Sequence, residues 1–562
     1  MSEPEPGAWE IVARTVEASG VPLVVGLPGD DMAALAAFAG TSVRTLWARD
    51  QRHAVNVASG AALASGRPTV AVVGRGPGAA AAVPAMLEAS SGSSGVLLIS
   101  GGVPLGREES GAFQDAPQLA LLRPVLRRAV RVTSADQLAG EVVRCLAVSG
   151  SRTPGPTYIE VPDDLPVADV ATCLARVTGA VVPARDSPNV PELLLRAERP
   201  VILVGGGMAR SESARITRLA ERLSAAIFCT ASGRGVVDES HELFCGLSGL
   251  YARGTARRLL ADADVLLALG SRLEETALDG LDPALPVIQV NTEAEDLATR
   301  LPGLAIVGDA DEVLRSWGAR LCSSGADGAD TSADRLRRRA EVVASRAAEE
   351  AWAASLSDTP PHESGTVPIA RLLSALSDAL PDGCVLVHEN GLADIWSYAH
   401  PVLRLPEGAL DICPSEQTTL GFGVSAAVGA SLAWPDRLVV AIVGDGAMDV
   451  AQIDAELLAA PGARVLWIVL DNGGYGWLHE MAGSAGDAFA SPARRGSGLR
   501  HPRGPAETRA DPDRDIADTI ADALASLQHG SRVLTVPVSL ADLPPAVTDP
   551  PPHPPARQEV RS

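Results

Sequence analysis

Short runs of apolar, often β-branched residues alternate along the chain with longer segments in which apolar residues recur at helical spacing. Near the start of the chain, VPLVVGLPG, TVAVVGRGPG and GVLLISGG are short apolar runs, whereas HAVNVASGAALASG has apolar residues at helical spacing. Short buried strands that alternate with helices are typical of parallel sheets covered by helices on both faces. The pattern therefore predicts an α/β fold made of doubly wound, mainly parallel sheets.

This alternation recurs in three blocks, which predicts three domains. The second block opens with RPVILVGGGMARS, and the third contains GCVLVHENG, RLVVAIVGDG and RVLWIVLDNGG. The first and third blocks are similar in size and pattern, but we find no clean sequence repeat between them. The predicted segments are a first domain at 1–175, a middle Rossmann-like domain at 190–321, a linker with a helix at 322–365, a third domain at 366–545, a mobile loop at 483–515 and a disordered tail at 546–562.

Composition narrows the classes of function. The chain has 562 residues, a net charge of −22 and no lysine among its 47 basic residues. The acidic balance argues against nucleic acid as a partner, because phosphate binding needs basic patches. The absence of lysine excludes a Schiff-base lysine, a Walker A lysine and a kinase lysine. Ordinary pyridoxal phosphate enzymes and class I aldolases are therefore ruled out.

The sequence also predicts the compartment. The N-terminus has no apolar signal-peptide core, and no apolar run reaches the roughly 18 residues of a membrane span. The seven cysteines include no CxxC pair, so we expect buried, reduced thiols. We therefore expect a cytoplasmic protein without membrane contact.

Two apolar runs of the third block end in polar residues beside glycines. Asp445 lies between Gly444 and Gly446 at the end of LVVAIV, and Asn472 follows RVLWIVLD. Ligands of parallel α/β sheets bind outside the carboxyl ends of the strands, where glycines let backbone N–H groups approach a phosphate. A carboxylate and an amide oxygen in such places predict a divalent cation that bridges phosphate oxygens.

The Gly444–Gly446 turn, followed about two dozen residues later by Asp471–Asn472, resembles the thiamine-diphosphate (ThDP) enzymes of the acetolactate synthase-like family. VVGLPGD, GRGPGAAAAV, GAFQDAPQLALLRPV and TTLGFGVSAAVGASLAWPDR are similar to other stretches of that family. The resemblance covers about residues 8–480. It implies that the three blocks are a pyrimidine-binding, a middle and a diphosphate-binding domain.

The resemblance implies a set of site residues. Mg²⁺ would be held by Asp445, Asn472 and the carbonyl of Gly474. Leu420 would lie under the thiazolium ring and force the cofactor into a bent form, while Phe113 and Gln114 would line the substrate side. His53 and His388 lie near the expected site and are interpreted as polar outer-shell or surface residues, with proton transfer as the alternative. Further cofactor contacts would come from Gly391, Thr418, Gly444, Gly446 and Ala447.

One position departs from the family in a way that affects catalysis. The resemblance places Gln51 where most members have a glutamate that hydrogen-bonds N1′ of the pyrimidine. A glutamine amide can donate a hydrogen bond to N1′ but cannot exchange a proton with it, and such help is worth about 10²–10⁴ in rate. Three hypotheses follow. The site works more slowly with Gln51, as glyoxylate carboligases work without this glutamate; a one-residue slip brings Asp50 to N1′; or catalysis is lost.

The function that the resemblance implies is ThDP- and Mg²⁺-dependent decarboxylation or carboligation of a 2-oxo acid. The enzyme would be a homodimer or homotetramer with its active site between two subunits. Two alternatives remain open. A catalytically degenerate subunit that binds an active partner is favoured by Gln51, and by Leu392 and Ala393 in place of polar residues. A flavin oxidoreductase is the other alternative. The glycine turn at 205–207 could hold FAD, which acetolactate synthases carry on that domain, but the turn lacks the G-x-G-x-x-G pattern and leaves FAD as a possible cofactor only.

Overall fold

The computed structural model describes residues 7–548 with the exception of 28, 30–31, 168–190, 210, 299–300, 324–332 and 483–503. Most of the predicted loop at 483–515, and all but the first residues of the predicted tail at 546–562, lie outside the described residues. Three six-stranded sheets form the framework, and all of their described strand pairs are parallel. The predicted α/β class is confirmed, whereas the exact domain bounds stay a prediction.

The first sheet contains β1 (Leu23–Leu27), β2 (Arg44–Trp47), β3 (Thr69–Val73), β4 (Val96–Gly102), β5 (Arg128–Arg131) and β6 (Thr157–Pro162). The strand order is β2-β1-β3-β4-β6-β5. Strands β3, β4 and β6 are buried along their whole length, as expected of a parallel sheet covered on both faces. The helices of this domain are α1 (Ala8–Ala18), α2 (Met32–Ala39), α3 (Gln51–Ser65), α4 (Pro77–Ala81), α5 (Val83–Ser91), α6 (Gln118–Leu122) and α7 (Ala135–Ser149).

The middle sheet contains β7 (Pro200–Val204), β8 (Ala226–Cys229), β9 (Phe244–Leu247), β10 (Val265–Leu269), β11 (Val287–Asn291) and β12 (Gly303–Val307). The strand order is β12-β11-β10-β7-β8-β9. The helices beside it are α8 (Glu192–Arg196), α9 (Ser213–Leu223), α10 (Gly254–Ala261), α11 (Glu275–Leu278) and α12 (Ala310–Ser323). The long helix α13 (Ala333–Ser357) follows in the segment predicted as a linker.

The third sheet contains β13 (Val385–His388), β14 (Leu410–Ile412), β15 (Val439–Gly444), β16 (Val465–Asp471), β17 (Ala506–Arg509) and β18 (Arg532–Pro537). The strand order is β14-β13-β15-β16-β18-β17. Its helices are α14 (Ile369–Ala379), α15 (Leu392–Ser397), α16 (Phe422–Ala433), α17 (Asp445–Ala451), α18 (Ala455–Leu458), α19 (Gly476–Ala482), α20 (Ile516–Ser526) and α21 (Pro545–Thr548). Short 3₁₀ turns in the chain are Arg123–Val125, Gly206–Met208, Ala231–Gly233, Gly249–Tyr251, Ala294–Asp296, Gln452–Asp454 and Leu527–His529.

The first and third sheets have equivalent strand orders, which reveals a repeat that the sequence analysis missed. Strand β3 and its turn read TVAVVGRG, and β15 and its turn read VVAIVGDG. Helices α3 and α16 are equivalent too, because VNVASGAALA and VSAAVGASLA occupy the same place in the two units. Arg75 therefore stands where the third domain has Asp445, and it forms an ion pair with Asp163.

The equivalent helices α3 and α16 pack against each other through glycine. A Cβ atom on Gly60 would lie 2.0 Å from the carbonyl oxygen of Ala426, and one on Gly429 would lie 1.9 Å from that of Val57. The two backbones are thus in direct contact, with no room for a methyl group. One continuous apolar core extends from the first sheet through this contact to the third sheet, so the first and third domains pack as a unit.

A buried ion pair ties the middle domain to the third. Arg234 Nε donates to Glu239 at 2.7 Å, and the terminal nitrogens of Arg234 donate to the carbonyls of Ser397 and Leu403, each at 2.7 Å. Glu239 also accepts from the N–H of Leu405 at 3.0 Å. Removing one charge would leave the other buried without its partner, which typically costs about 3–5 kcal/mol.

Within the described part of the chain, no helix combines the length and the apolar character needed to cross a membrane. The cysteines whose side chains are described are free thiols, and all but the last are buried: Cys145, Cys229, Cys245, Cys384 and Cys413.

We expect Gly60→Ala and Gly429→Ala each to lower the free energy of unfolding by about 1–3 kcal/mol, because the added methyl group forces the backbones of α3 and α16 apart. Gly318→Ala is the matched control. Gly318 is exposed on α12 with open space at its Cβ position, so alanine should raise stability by about 0.5–1 kcal/mol. Urea unfolding followed by circular dichroism measures all three variants. A stabilising effect at Gly60 would contradict this packing.

Candidate active site

The turn after β15 places a carboxylate at the edge of the third sheet. The strand is buried as far as Val443, Gly444 continues it in extended conformation, and α17 begins at Asp445. The Asp445 carboxylate accepts hydrogen bonds from the N–H of Gly446 at 2.9 Å and from the N–H of Gly473 at 3.2 Å. It therefore joins the turns that follow two adjacent parallel strands, β15 and β16.

The electrostatics of this turn suit a cation. Burial and the neighbouring Asp471 raise the pKa of Asp445 to about 7. Asp471 is paired with Arg509 Nη1 at 2.6 Å, whereas Asp445 takes part in no ion pair among the described residues. A bound cation would stabilise the ionised form of Asp445 and so oppose both causes of the shift.

Asn472 and the glycines after it complete this edge of the sheet. The side-chain oxygen of Asn472 accepts a hydrogen bond from the N–H of Gly474 at 3.0 Å, and Gly473 has a φ of 75°. A carboxylate, an amide oxygen and backbone carbonyls are the hard donors that Mg²⁺ prefers. Among the described residues, here or elsewhere, no group of three or more His, Cys, Asp or Glu side chains is gathered to hold a metal ion.

A second carboxylate, Glu389, holds the start of α16. It is fully buried and accepts hydrogen bonds from the N–H groups of Gly421 at 2.9 Å, Val424 at 3.2 Å and Asn390 at 3.2 Å. Burial raises the pKa of Glu389 to about 7, although these hydrogen bonds oppose the shift. The sequence analysis missed this residue. Its signal was a carboxylate directly after the apolar strand β13, the same signal that singled out Asp445.

Loops around this edge carry the other residues predicted for the third domain. Gly391 has a φ of 122°, which glycine adopts without strain, and Thr418 has a φ of 45°. Tyr475 covers Gly446, whose Cβ position is 3.1 Å from the tyrosine ring. Large apolar side chains stay exposed in these loops and in the helix that follows: Leu420, Tyr475, Trp477, Leu478 and Met481. Such a surface suits contact with an apolar ring or with another protein chain.

The predicted residues of the first domain meet at a different turn. Gln51 begins α3, and its Nε2 lies 3.7 Å from the Cβ position of Gly78. Gln114 has a φ of 58°, and its carbonyl oxygen lies 2.5 Å from the Cβ position of Gly76. Phe113 beside it is 70% exposed. The structure thus gathers the three predicted residues around the GRGPG turn.

Asp50, the alternative to Gln51, is hydrogen-bonded to Arg52 of its own helix. As the N-cap of α3, it accepts hydrogen bonds from the backbone N–H of Arg52 at 2.8 Å and from the Arg52 guanidinium at 3.0 and 2.7 Å. Burial acts to raise the pKa of Asp50, but the bonds to Arg52 outweigh it and hold the pKa below its ordinary value. A carboxylate in this state is a weak proton acceptor.

The two groups of predicted residues do not bond to each other within one chain. Among the described hydrogen bonds, none connects Gln51, Phe113 or Gln114 with the turns at 444–447 and 472–474. Within one chain, the two groups of predicted residues therefore make separate sets of hydrogen bonds.

His53 and His388 each belong to a buried pair. His53 Nδ1 lies 2.5 Å from Asp454, a contact between the first and third domains. His388 bonds Asp411 through Nε2 at 2.6 Å and Ser397 through Nδ1 at 2.7 Å. These contacts agree with a structural role for both histidines.

The glycine turn of the middle domain is filled by the protein's own backbone. A Cβ atom on Gly205 would lie 2.4 Å from the carbonyl oxygen of Gly270, and one on Gly207 would lie 2.9 Å from the Cα of Gly270. These glycines allow the turns after β7 and β10 to pack together. That packing accounts for them without a bound nucleotide.

Comparisons with known proteins identify the class to which this architecture belongs. Families described as thiamine pyrophosphate enzyme domains match all three parts of the chain. The N-terminal TPP binding domain matches residues 8–121, the central domain residues 189–317 and the C-terminal TPP binding domain residues 389–526.

Similarity to curated proteins extends along most of the chain. A probable 2-ketoarginine decarboxylase of Pseudomonas aeruginosa is 30% identical over 478 residues, which cover 82% of this chain and 81% of the relative. The acetolactate synthase isozyme 1 large subunit of Escherichia coli is 26% identical over 495 residues, which cover 84% and 83%. The isozyme 2 large subunit of the same organism is 28% identical over 446 residues, which cover 77% of each chain. The protein belongs to the acetolactate synthase-like ThDP-dependent enzymes, whose chemistry is decarboxylation and carboligation of 2-oxo acids.

We expect Glu389 to make stability depend on pH. Its pKa is about 7 in the folded chain against an ordinary value of 4.5, so its contribution is fully present below about pH 4.5 and is lost as the pH rises through 7. Between about pH 5 and pH 8, the free energy of unfolding of the wild type should fall by about 2–3 kcal/mol more than that of Glu389→Gln. Urea unfolding of both proteins across that range measures the difference. Parallel pH profiles for wild type and variant would contradict the prediction.

Proposed function

We propose that this protein binds ThDP together with Mg²⁺ and decarboxylates a 2-oxo acid, either releasing the product or adding it to a second carbonyl compound. The observation that supports this most directly is the pair of turns joined by Asp445. They set a buried carboxylate and Asn472 at the carboxyl ends of adjacent parallel strands. Ligands of such sheets bind at this end.

In the proposed site, Mg²⁺ is held by Asp445, Asn472 and the carbonyl of Gly474. The raised pKa of Asp445 supports this assignment, because a cation would favour its ionised form beside Asp471. The turn is also open to a diphosphate, since no atom lies within 4 Å of the Cβ position of Gly444. Backbone groups of Gly444, Gly446 and Ala447 are proposed to contact the diphosphate.

Bound ThDP supplies a carbon nucleophile that adds to the keto carbon and accepts the electrons released as CO₂ departs. Leu420, exposed two residues before α16, is proposed to support the thiazolium ring. The backbones of Thr418 and Leu420 are proposed to hydrogen-bond the pyrimidine, and Gly391 is proposed as a further cofactor contact. Phe113 and Gln114 are assigned to the substrate side.

Gln51 is proposed to face N1′ of the pyrimidine in place of the usual glutamate. Its amide can donate a hydrogen bond that orients the ring, but it cannot take up or release a proton. Asp50 is less suited to this position because Arg52 engages both of its oxygens. The proposal therefore includes slower activation of the cofactor than in a site that has glutamate.

A second candidate, a catalytically degenerate subunit that binds an active partner, is favoured by two observations. Gln51 lacks a proton-transfer group, and Leu392 and Ala393 offer no side-chain polar atom to a diphosphate. The enzymatic proposal is preferred because Asp445 and Asn472 are both present at adjacent strand ends. ThDP binding without turnover of any 2-oxo acid would favour the second candidate.

The proposed site does not use flavin, because the packing of Gly205 and Gly207 against Gly270 accounts for the glycine turn of the middle domain. A yellow purified protein that reduces an acceptor without ThDP would instead favour the flavin oxidoreductase alternative.

We also propose that the active form is at least a homodimer, with a homotetramer as the larger alternative. Within one chain, the face with Gln51 and Gln114 is not bonded to the face with Asp445 and Asn472. A second copy would allow the first domain of one chain to meet the third domain of the other. The exposed side chains of Phe113 and Leu420 on these faces support such a contact.

Titration calorimetry with ThDP tests the proposed function. We expect micromolar binding in the presence of Mg²⁺ and loss of binding when EDTA removes the metal. Asp445→Ala should weaken binding by more than the roughly 10–100-fold that an outer-shell partner of a metal contributes. Asp436→Ala, a change at an exposed aspartate before β15, is the control and should bind as wild type does. A folded wild-type protein that binds no ThDP would overturn the proposal.

Replacing Gln51 with glutamate should restore proton transfer at N1′. We expect Gln51→Glu to speed exchange of the C2 proton of bound ThDP by about 10²–10⁴, measured by acid quench and proton NMR in deuterated buffer. Gln137→Glu adds the same charge at an exposed position of α7 and should leave the exchange rate unchanged. Unchanged or slower exchange in Gln51→Glu would show that another residue faces N1′.

Light scattering of the active protein measures its molar mass and so tests the proposed oligomeric state. We expect a mass of at least twice that of one chain at concentrations where a 2-oxo acid is turned over. A monomer with full activity would contradict a site shared between two copies.

A further inference from the structure

A buried carboxylate of the first domain reaches a loop of the third. Glu88 lies in α5 and is 1% exposed. Its two oxygens accept hydrogen bonds from the backbone N–H of Ser415 at 2.5 Å and from that of Thr419 at 2.9 Å. One side chain therefore holds both ends of the segment 415–419, called here the 415–419 loop.

The 415–419 loop has a conformation that needs support. Thr418 has a φ of 45°, which is unfavourable for a β-branched residue. The N–H of Thr418 donates to the carbonyl of Ser415 at 2.9 Å, and that of Gln417 donates to the Ser415 hydroxyl at 3.1 Å. The inner turn of the loop is thus built on Ser415, the residue that Glu88 holds.

Leu420 is fixed from both sides. Glu88 holds the N–H of Thr419 before it, and Glu389 holds the N–H of Gly421 after it at 2.9 Å. The two carboxylates come from different domains. The placement of Leu420 against the third sheet therefore depends on how the first domain is packed beside it.

We propose that Glu88 is a positioning residue for the cofactor, which keeps Thr418 and Leu420 in the arrangement that receives ThDP. This inference rests on the proposed function and extends it to a residue that touches neither cofactor nor metal. The role needs a carboxylate, because the N–H groups of Ser415 and Thr419 bond to different oxygens of the Glu88 side chain. A glutamine amide would present its NH₂ donor to one of them.

Hydrogen exchange on the chain without ThDP tests whether Glu88 holds the 415–419 loop. In wild type, the amides of Ser415 and Thr419 should exchange slowly although they lie in a loop. Glu88→Gln should speed exchange of a peptide covering 414–421 by roughly tenfold or more, which is the size of a lost bond to a charged acceptor. Glu349→Gln is the matched control. Glu349 is a buried carboxylate of α13 that accepts from the N–H of Thr255 at 2.7 Å, and its substitution should leave this peptide unchanged.

Calorimetric titration with ThDP and Mg²⁺ then measures the consequence for the cofactor. Glu88→Gln should raise the dissociation constant roughly tenfold or more, again the effect of one lost bond to a charged acceptor. Glu349→Gln should keep the wild-type dissociation constant, even where both variants unfold at lower urea concentration. An equal loss of affinity in both variants would reflect general destabilisation and would overturn the inference.

The remaining outcomes separate the inference from the proposed function. Faster exchange with unchanged ThDP affinity in Glu88→Gln would overturn the positioning role and leave the proposed function intact. A wild-type protein that binds no ThDP would overturn the proposed function and the inference with it. If Glu88→Gln loses its cooperative unfolding transition, Glu88→Asp is measured instead. Its side chain is one methylene shorter, so we expect it to lose one of the two N–H bonds and to shift exchange and affinity in the same direction. Unchanged exchange and affinity in that variant, despite its shorter reach, would overturn the inference.

Discussion

The backbones of α3 and α16 touch at Gly60 and Gly429, and the arrangement of the first and third domains follows from this contact. Because the approach is backbone to backbone and lies within a shared apolar core, the helices cannot slide or separate without opening that core. Helix α3 begins at Gln51, and α16 begins two residues after Leu420. The same contact therefore sets the positions of two residues assigned to the cofactor, one on each domain.

Carboxylates that accept backbone N–H groups shape the loops around the site. Asp445 joins two strand-end turns, Glu389 holds the start of α16, and Glu88 reaches across from the first domain. Each of them fixes a segment that has no regular structure of its own. The cost is buried negative charge, which is evident in the raised pKa values of Asp445 and Glu389. A divalent cation at Asp445 would offset part of this cost.

The fold class and the turn at Asp445 could be predicted because both depend on local patterns of apolar strands and glycines. Glu88 could not, because it lies within a helix and its partner Ser415 is 327 residues further along the chain. The pairing of Asp50 with Arg52, which bears on the proposed choice of Gln51, also lay beyond the sequence, since it depends on the rotamer by which Arg52 folds back on Asp50. The repeat was missed because the equivalent stretches are short and differ at their most informative position, where one has arginine and the other aspartate.

Glu88 and the loop that it holds belong to different domains, and this bears on the order in which the chain matures. The turns at Asp445 and Asn472 depend on neighbouring strands of a single sheet, so their hydrogen bonds lie within the third domain. The 415–419 loop, in contrast, donates two hydrogen bonds to Glu88 of α5 in the first domain. A newly made chain would then form its cation site before it forms the complete binding site for the organic cofactor. Capture of ThDP would mark the end of assembly rather than its beginning.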